Sequence, residues 1–387
     1  MENIEKIRVL DLSTVVGGPF AAAMFADFGA EVIKVEMPGV GDPSREMNPA
    51  KDGIGLRWNA LGRNKKTVTL DLHQPEAKEL FLKLVGKSDV IIENFRVGTL
   101  EKWGLGMDKL RAANPDIIVT HVTGYGQTGP YKDKSGFGNA ITGYAGPTYI
   151  TGFADRRPVN PAFSLCDYLT GLFAMIGSLV AIINKKSQEV DASLYESMFR
   201  LQEVLVSNYY STGTVMERGK KVGSPPGDVY ESKDGKFFNL ACSSSRTFRY
   251  LMKAMDREDL AEKYPTMELR TEHEDELIEA TTEWCFAHTY EEIAAACDRE
   301  KAVCVPIFSI VDIWNDEHFQ ARGNIQILPD ETFGTVAQPA VTPRLSETPG
   351  KIKWTGRAMG EFNHEIFCDL LGLSETDFED YKARKII

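Results

Sequence analysis

The segment IRVLDLSTVVGGPFAAAMFADFGAEVIKVE, residues 7–36, decides the fold. Residues 7–12 form a short apolar run of strand type, and Gly17-Gly18-Pro19 breaks it. Apolar residues then recur at helical spacing over 19–28, and 31–36 alternate like a second strand. Strand, turn, helix and strand in that order open a parallel α/β unit. A glycine turn that starts a helix is also a place where phosphates bind. The spacing here is not G-x-G-x-x-G, which argues against a nicotinamide dinucleotide.

The same pattern continues along the chain. Strand-like runs occupy 67–72, 89–93, 116–121 and 189–194, with an amphipathic helix expected over 75–86 and a long helix over 195–210. Residues 94–96 (Asn-Phe-Arg) follow one of these strands, and strand C-termini are where open α/β sheets place ligands. Residues 37–64, rich in Gly, Pro and Asn and carrying Arg45, Arg57 and Arg63, read as a long functional loop. The cluster Arg63-Asn64-Lys65-Lys66 before a strand is either a solvated strand end or a phosphate contact.

The stretch VNPAFSLCDYLTGLFAMIGSLVAIIN, residues 159–184, is the most apolar part of the chain and reads as a buried helix with Ser164 as its N-cap. Its first turn holds one charge, Asp167. A carboxylate there complements the positive end of the helix dipole, which is reason enough for an acid. The same carboxylate in a dry pocket is also a nucleophile able to form a covalent acyl intermediate. Cys166 beside it reads as a small apolar filler of the helix.

A length of 387 residues implies two domains. Residues 1–215 read as the first part of a large domain. Character changes near Gly219, where KKVGSPPGD (220–228) is a linker signal. Residues 225–325 read as a smaller α+β domain, with a hairpin turning at Asp234-Gly235 and a Thr289/Glu292 capping box. Residues 326–387 read as a loop-rich linker and a C-terminal segment.

The net charge of −12 argues against a nucleic-acid binder and against an anionic membrane surface. The N-terminus shows no signal-peptide pattern, and the six cysteines show no C-x-x-C spacing, so a reducing, cytoplasmic compartment is expected. The six histidines include no H-x-x-x-H, so no metal site is expected.

Five long segments, in order, resemble the class III CoA-transferases, the carnitine-type or formyl-CoA transferase family. They are residues 9–36, GRNKKTVTLDL (62–72), DVIIENFRVGTLEKWGL (89–105), HVTGYGQTGP (121–130) and AFSLCDYLTGLFA (162–174). Residues 160–171, 195–198 and 307–323 are most similar to the crotonobetainyl-CoA:carnitine branch. The resemblance implies a Rossmann-like parallel-sheet large domain built from both chain ends, with the small α+β domain between them. It also implies an interlocked, ring-shaped homodimer, an acyl-CoA and a carboxylic acid as substrates, and no cofactor beyond CoA as a substrate moiety. The family's nucleophile falls on Asp167. Its CoA contacts fall on Asn94, Phe95, Arg96 and Lys102, with a loop at Val16.

Two departures matter. Many members carry a basic residue just after the second strand's glutamate, where this chain has Met37-Pro38, and Trp103 replaces a second basic residue of the carnitine branch. Lys65, Lys66 or Arg45 are therefore expected to supply phosphate contacts. Two other readings stand beside the transferase. An α-methylacyl-CoA racemase shares the fold but needs a His in a turn that here reads Gly136-Phe137-Gly138. A non-catalytic CoA-binding protein would tolerate loss of Asp167.

Overall fold

The computed structural model describes residues 4–202, 204–219 and 224–387. Contacts divide the chain into two units, 1–219 with 323–387, and 220–322.

The first unit is built on strand β1 (Arg8–Asp11), helix α1 (Gly17–Asp27), β2 (Glu31–Glu36), α2 (Leu56–Leu61), β3 (Lys65–Thr69), α3 (Pro75–Val85) and β4 (Val90–Glu93). It continues through α4 (Met107–Ala113), β5 (Ile118–Thr123), α5 (Gly138–Tyr144), α6 (Leu165–Asn184), β6 (Glu189–Ser193) and α7 (Leu194–Phe199). The six strands lie in the order β3-β2-β1-β4-β5-β6, every pair parallel. This is the doubly wound order, which reverses direction between β1 and β4 and opens a crevice at their C-terminal ends.

Period-two alternation feeds both faces. Val9, Val32, Val90 and Ile92 pack on one side with Ala21, Ala22 and Phe25 of α1 and Ala174, Met175 and Ala181 of α6. Leu10, Ile33 and Ile91 point the other way, into Leu80, Phe81 and Leu84 of α3 and Ile366, Phe367 and Phe378 near the C-terminus. The returning chain is hydrogen-bonded to the sheet edge, with Phe362 N–H donating to Thr67 O at 3.0 Å and Asp71 N–H to Ile386 O at 2.8 Å.

Three local readings differ from the structure. The segment 37–64 is not all loop, because residues 56–61 form α2. The helix expected over 195–210 is α7, a 3-10 turn at Arg200–Gln202 and a separate helix Val204–Thr212 that buries none of its residues; residue 203 lies outside the described residues. Residues Ile325–Asp330 and Gly334–Pro339 pair as an antiparallel hairpin in a stretch that reads as loop, because its turn is closed by polar groups. There Asp330 Oδ1 accepts the N–H groups of Thr332 (3.0 Å) and Phe333 (2.9 Å), and Gly334 takes a φ of 73°.

The second unit carries antiparallel strands Asp228–Glu231, Phe237–Ala241 and Val303–Pro306, with Phe248, Leu251, Leu277 and Ile293 of its helices in their core. Thr289 and Glu292 do cap their helix reciprocally. Residues 220–223 of the expected linker lie outside the described residues.

Candidate active site

Asp167 sits half-buried in the first turn of α6. Three glycines make its place. At Gly171, a Cβ would come within 2.7 Å of Gly17 O and 2.9 Å of a Phe20 ring carbon, so α1 and α6 cross with backbones almost touching. At Gly17, a Cβ would meet Val122 Cγ1 at 3.1 Å and Asp167 O at 3.5 Å. At Gly138, the first residue of α5, a Cβ would lie 2.1 Å from Asp167 Oδ2. The turn 136–138 therefore lies against the carboxylate, and a side chain at 138 would expel it. Phe137, the residue where a racemase would need its His, is 78% exposed.

Ser164 occupies the N-cap position of α6 but makes no capping hydrogen bond. Burial pushes the Asp167 carboxyl above its ordinary value. Its own backbone N–H and the charge of Arg57 oppose that shift without overcoming it. Among the described residues, no cation forms an ion pair with it. Burial, and next the charge of Asp167, push the Cys166 thiol up to about 12, so this neighbour is protonated at neutral pH and donates to Leu194 O at 3.5 Å.

The loop after β1, which carries Val16 and Gly17, is clamped from below. Lys65 Nζ donates to Asp11 Oδ2 and to Pro19 O, each at 2.7 Å, and Lys34 Nζ donates to Ser13 O. Lys34 also pairs with Asp42 at 3.0 Å. Asp42 Oδ1 accepts the N–H groups of Ser44 (2.8 Å) and of Val15 (3.3 Å), a valine held at a φ of 71°. Burial opposes ionisation of Asp42, yet Lys34 and Ser44 bring its carboxyl down to about 2.

At the sheet crevice, Asn94 exchanges two hydrogen bonds with Thr14, Nδ2 to O at 2.7 Å and N–H to Oδ1 at 2.8 Å. Phe95 N–H donates to Glu93 Oε2 at 2.6 Å. The Phe95 ring meets Trp103 edge to face at 5.0 Å, and Trp103 meets His73 at 5.1 Å. These three rings, with Met37, Leu70 and Leu72, line a cavity of about 190 Å³. Arg96 is exposed, its Nη2 only 3.5 Å from Ser135 Oγ, and Lys102 is exposed next to Trp103. Val16, Asn94, Phe95, Arg96 and Lys102 are thus gathered around the C-terminal ends of β1 and β4.

Three expected phosphate contacts need correction. Lys65 is wholly buried between Asp11 and the start of α1, so its ammonium is not open to a ligand. Arg45 holds Glu36 through Nε at 2.8 Å and Nη2 at 2.7 Å, donates to Arg357 O at 3.0 Å, and covers the Trp58 ring at 3.8 Å. Lys66 bridges Glu31 and Glu365, each at 2.6 Å. The cationic run is legible in the sequence; the carboxylates that absorb it come from other strands and helices and are not. Arg57, whose charge acts on Asp167, is named in the sequence only as one of three arginines of a functional loop, and nothing there separates it from Arg45 and Arg63, because the helix that carries it reads as loop.

The sequence model described as "CoA-transferase family III" matches residues 4–361. The chain is 40% identical to the succinyl-CoA–D-citramalate CoA-transferase of Chloroflexus aurantiacus, over 99% of this chain and 98% of that one. It is also 40% identical to the succinyl-CoA–L-malate CoA-transferase alpha subunit of Chloroflexus aurantiacus, over 98% and 92%. The crystal structure of a CAIB/BAIF family protein from Brucella suis superposes with a TM-score of 0.82 at 28% identity, covering 95% of this chain and 99% of that one. These relatives are named for citramalate and malate, so the carnitine branch is not singled out. The chain belongs to CoA-transferase family III and is a CoA-transferase.

Proposed function

We propose that this enzyme moves CoA from a dicarboxylic acyl-CoA, such as succinyl-CoA, to a free dicarboxylic acid, with Asp167 as nucleophile. The observation that carries the proposal is the Asp167 carboxylate itself. It is half-buried, forms no ion pair among the described residues, and is set against the backbone at Gly138. The relatives named for malate and citramalate support the substrate class, since both are dicarboxylic acids.

The atoms balance as follows. An Asp167 oxygen attacks the donor thioester carbonyl, the C–S bond breaks, and CoA leaves as thiolate with the anhydride in place. The thiolate attacks the Asp167 carbonyl, which releases the donor acid and leaves an aspartyl thioester. The acceptor carboxylate attacks that thioester, forming a new anhydride and freeing the thiolate again. The thiolate takes the acceptor's acyl group and Asp167 is restored as carboxylate. Each step exchanges one acyl leaving group for another, so the chemistry draws on no metal or further cofactor. In this reading, backbone N–H groups in the 136–143 region or at the start of α6 receive the developing oxyanion.

The cavity between Phe95, Trp103 and His73 suits the CoA base, and exposed Arg96 and Lys102 beside it suit the phosphates. An interlocked homodimer accompanies this reading. On α6, Leu172, Ile176, Val180 and Ile183 form one apolar stripe that is 37–76% exposed in the single chain, as a face covered by a second copy would be. A cytoplasmic site of action fits six cysteines of which none is paired.

The test is intact-protein mass spectrometry after mixing with succinyl-CoA, followed by peptide mapping. An acyl or CoA adduct on Asp167 is the expected result. Full turnover by Asp167→Ala would remove the covalent mechanism.

A further inference from the structure

Residues 37–64 contain three arginines, and two of them are held by carboxylates. Arg45 grips Glu36, and Arg63 grips Asp27 through Nε at 2.9 Å and through Nη2. Arg57 is different. Its Nε is buried without a hydrogen-bond partner, and Nη2 reaches only Asn48 O at 3.5 Å. No carboxylate among the described residues pairs with it.

The position of Arg57 does not depend on its own contacts. The next residue, Trp58, is buried, donates Nε1 to Arg357 O at 3.0 Å and lies under Arg45. Asn59 then donates to Asp330, and its carbonyl accepts from Gln338 Nε2 at 2.7 Å. Helix α2 is pinned by residues 58 and 59, and Arg57 is carried on it with its buried Nε unsatisfied. A half-buried guanidinium N–H without an acceptor is costly, which calls for a partner that arrives with the ligand.

Charge balance says what that partner is. In the resting enzyme the charge of Arg57 acts on the Asp167 carboxylate, and the two form no ion pair. When Asp167 becomes an anhydride or thioester its negative charge is gone, and Arg57 is left alone in a half-dry site. An acyl group with a second carboxylate restores neutrality; a monocarboxylic acyl group does not. The planar guanidinium fork also matches a carboxylate in geometry. We propose that Arg57 receives the second carboxylate of a dicarboxylic acyl group and so sets the preference for dicarboxylic over monocarboxylic substrates. This rests on the transferase reading through Asp167.

The experiment compares succinyl-CoA with butyryl-CoA, its uncharged counterpart of equal chain length. CoA release and adduct formation on Asp167 are followed in a single turnover for the wild type, Arg57→Met and Arg57→Lys. The wild type is expected to favour succinyl-CoA, and Arg57→Met to lower that ratio about tenfold to a hundredfold, as loss of a charge-assisted contact does. Arg57→Lys keeps the charge without the fork and is expected to lose less; its ratio decides the matter if Arg57→Met does not fold. An unchanged ratio overturns the inference while leaving the transferase reading intact. So does an equal slowing with both donors and a shifted acid limb of the pH profile, which would make Arg57 a positioning residue acting through Asp167. A wild type that reacts with neither donor removes the proposed reaction of succinyl-CoA at Asp167, and this inference with it.

Discussion

Two carboxylates taken out of water, Asp11 at the end of β1 and Asp167 at the start of α6, have opposite surroundings. Asp11 is fully buried, bound to Lys65 at 2.7 Å and accepting from Ser13 N–H at 3.0 Å, with Lys34 3.8 Å away. Burial alone would raise its carboxyl, and the two lysines reverse that, holding it below the usual range. Asp167 has burial without a bonded cation, and its carboxyl is raised. A paired carboxylate is scaffold: its charge is committed to neighbours that hold the loop carrying Val16 and Gly17. An unpaired one keeps its electron pair for chemistry and costs stability to keep.

The largest effect that tests this contrast is on activity. Asp167→Asn keeps the shape and removes the nucleophile, so transfer measured by CoA-ester exchange should fall at least about a thousandfold, as losses of covalent nucleophiles do. Its stability should move the other way. A carboxyl raised on folding is least favourable to the folded state when ionised, above its folded pKa, and neutral below the unfolded value. Thermal melts at pH 7 should therefore show Asp167→Asn at or above the wild type.

Next comes the scaffold. Lys65→Met leaves Asp11 buried with one lysine fewer and should cost about 3–5 kcal/mol in denaturant unfolding, as breaking buried pairs does. If Lys65 instead held a phosphate, the loss would appear in CoA affinity with stability unchanged. Arg96→Ala is the complementary case. The guanidinium is exposed and nearly free, so stability should stay within about 0.5 kcal/mol. CoA affinity by calorimetry should fall about tenfold or more, from loss of a contact of roughly 1.5–3 kcal/mol.

The smallest effect is a shift along the pH axis. The raised Asp167 carboxyl places the acid limb of the single-turnover rate above the ordinary aspartate range, with rate rising as pH rises through it. A limb at or below that range would mean that another group ionises in the rate-limiting step. His121 offers a control in stability. It is buried between Glu93 and Glu189, and although burial opposes it, these acids raise its pKa. Its stabilising contribution is complete below pH 6.5 and is lost as pH rises through the raised folded value. The pH dependence of stability near neutrality should flatten in His121→Gln.

Periodicity and small residues, properties of the chain itself, determined the parallel sheet and the helix that carries Asp167. Alternating runs such as 7–12, 31–36 and 89–93 feed both faces of a sheet however the rest packs, and a lone acid in the first turn of an apolar helix stands out in any reading. Segments 62–72, 89–105 and 162–174 were also sufficient to place the chain among CoA-transferases. Partnership was decided only in three dimensions. Lys65 and Arg45 look like free cations beside Arg96 and Lys102, and nothing local separates them. The carboxylates that bind them, Asp11 and Glu36, lie 54 and 9 positions away and arrive through the strand order. Arg57 shows the converse: one arginine among three in a glycine-rich segment, it is left without a carboxylate partner among the described residues on α2, which is anchored through Trp58 and Asn59. Charge is written in the sequence, but whether a charge is neutralised depends on distances that only packing sets.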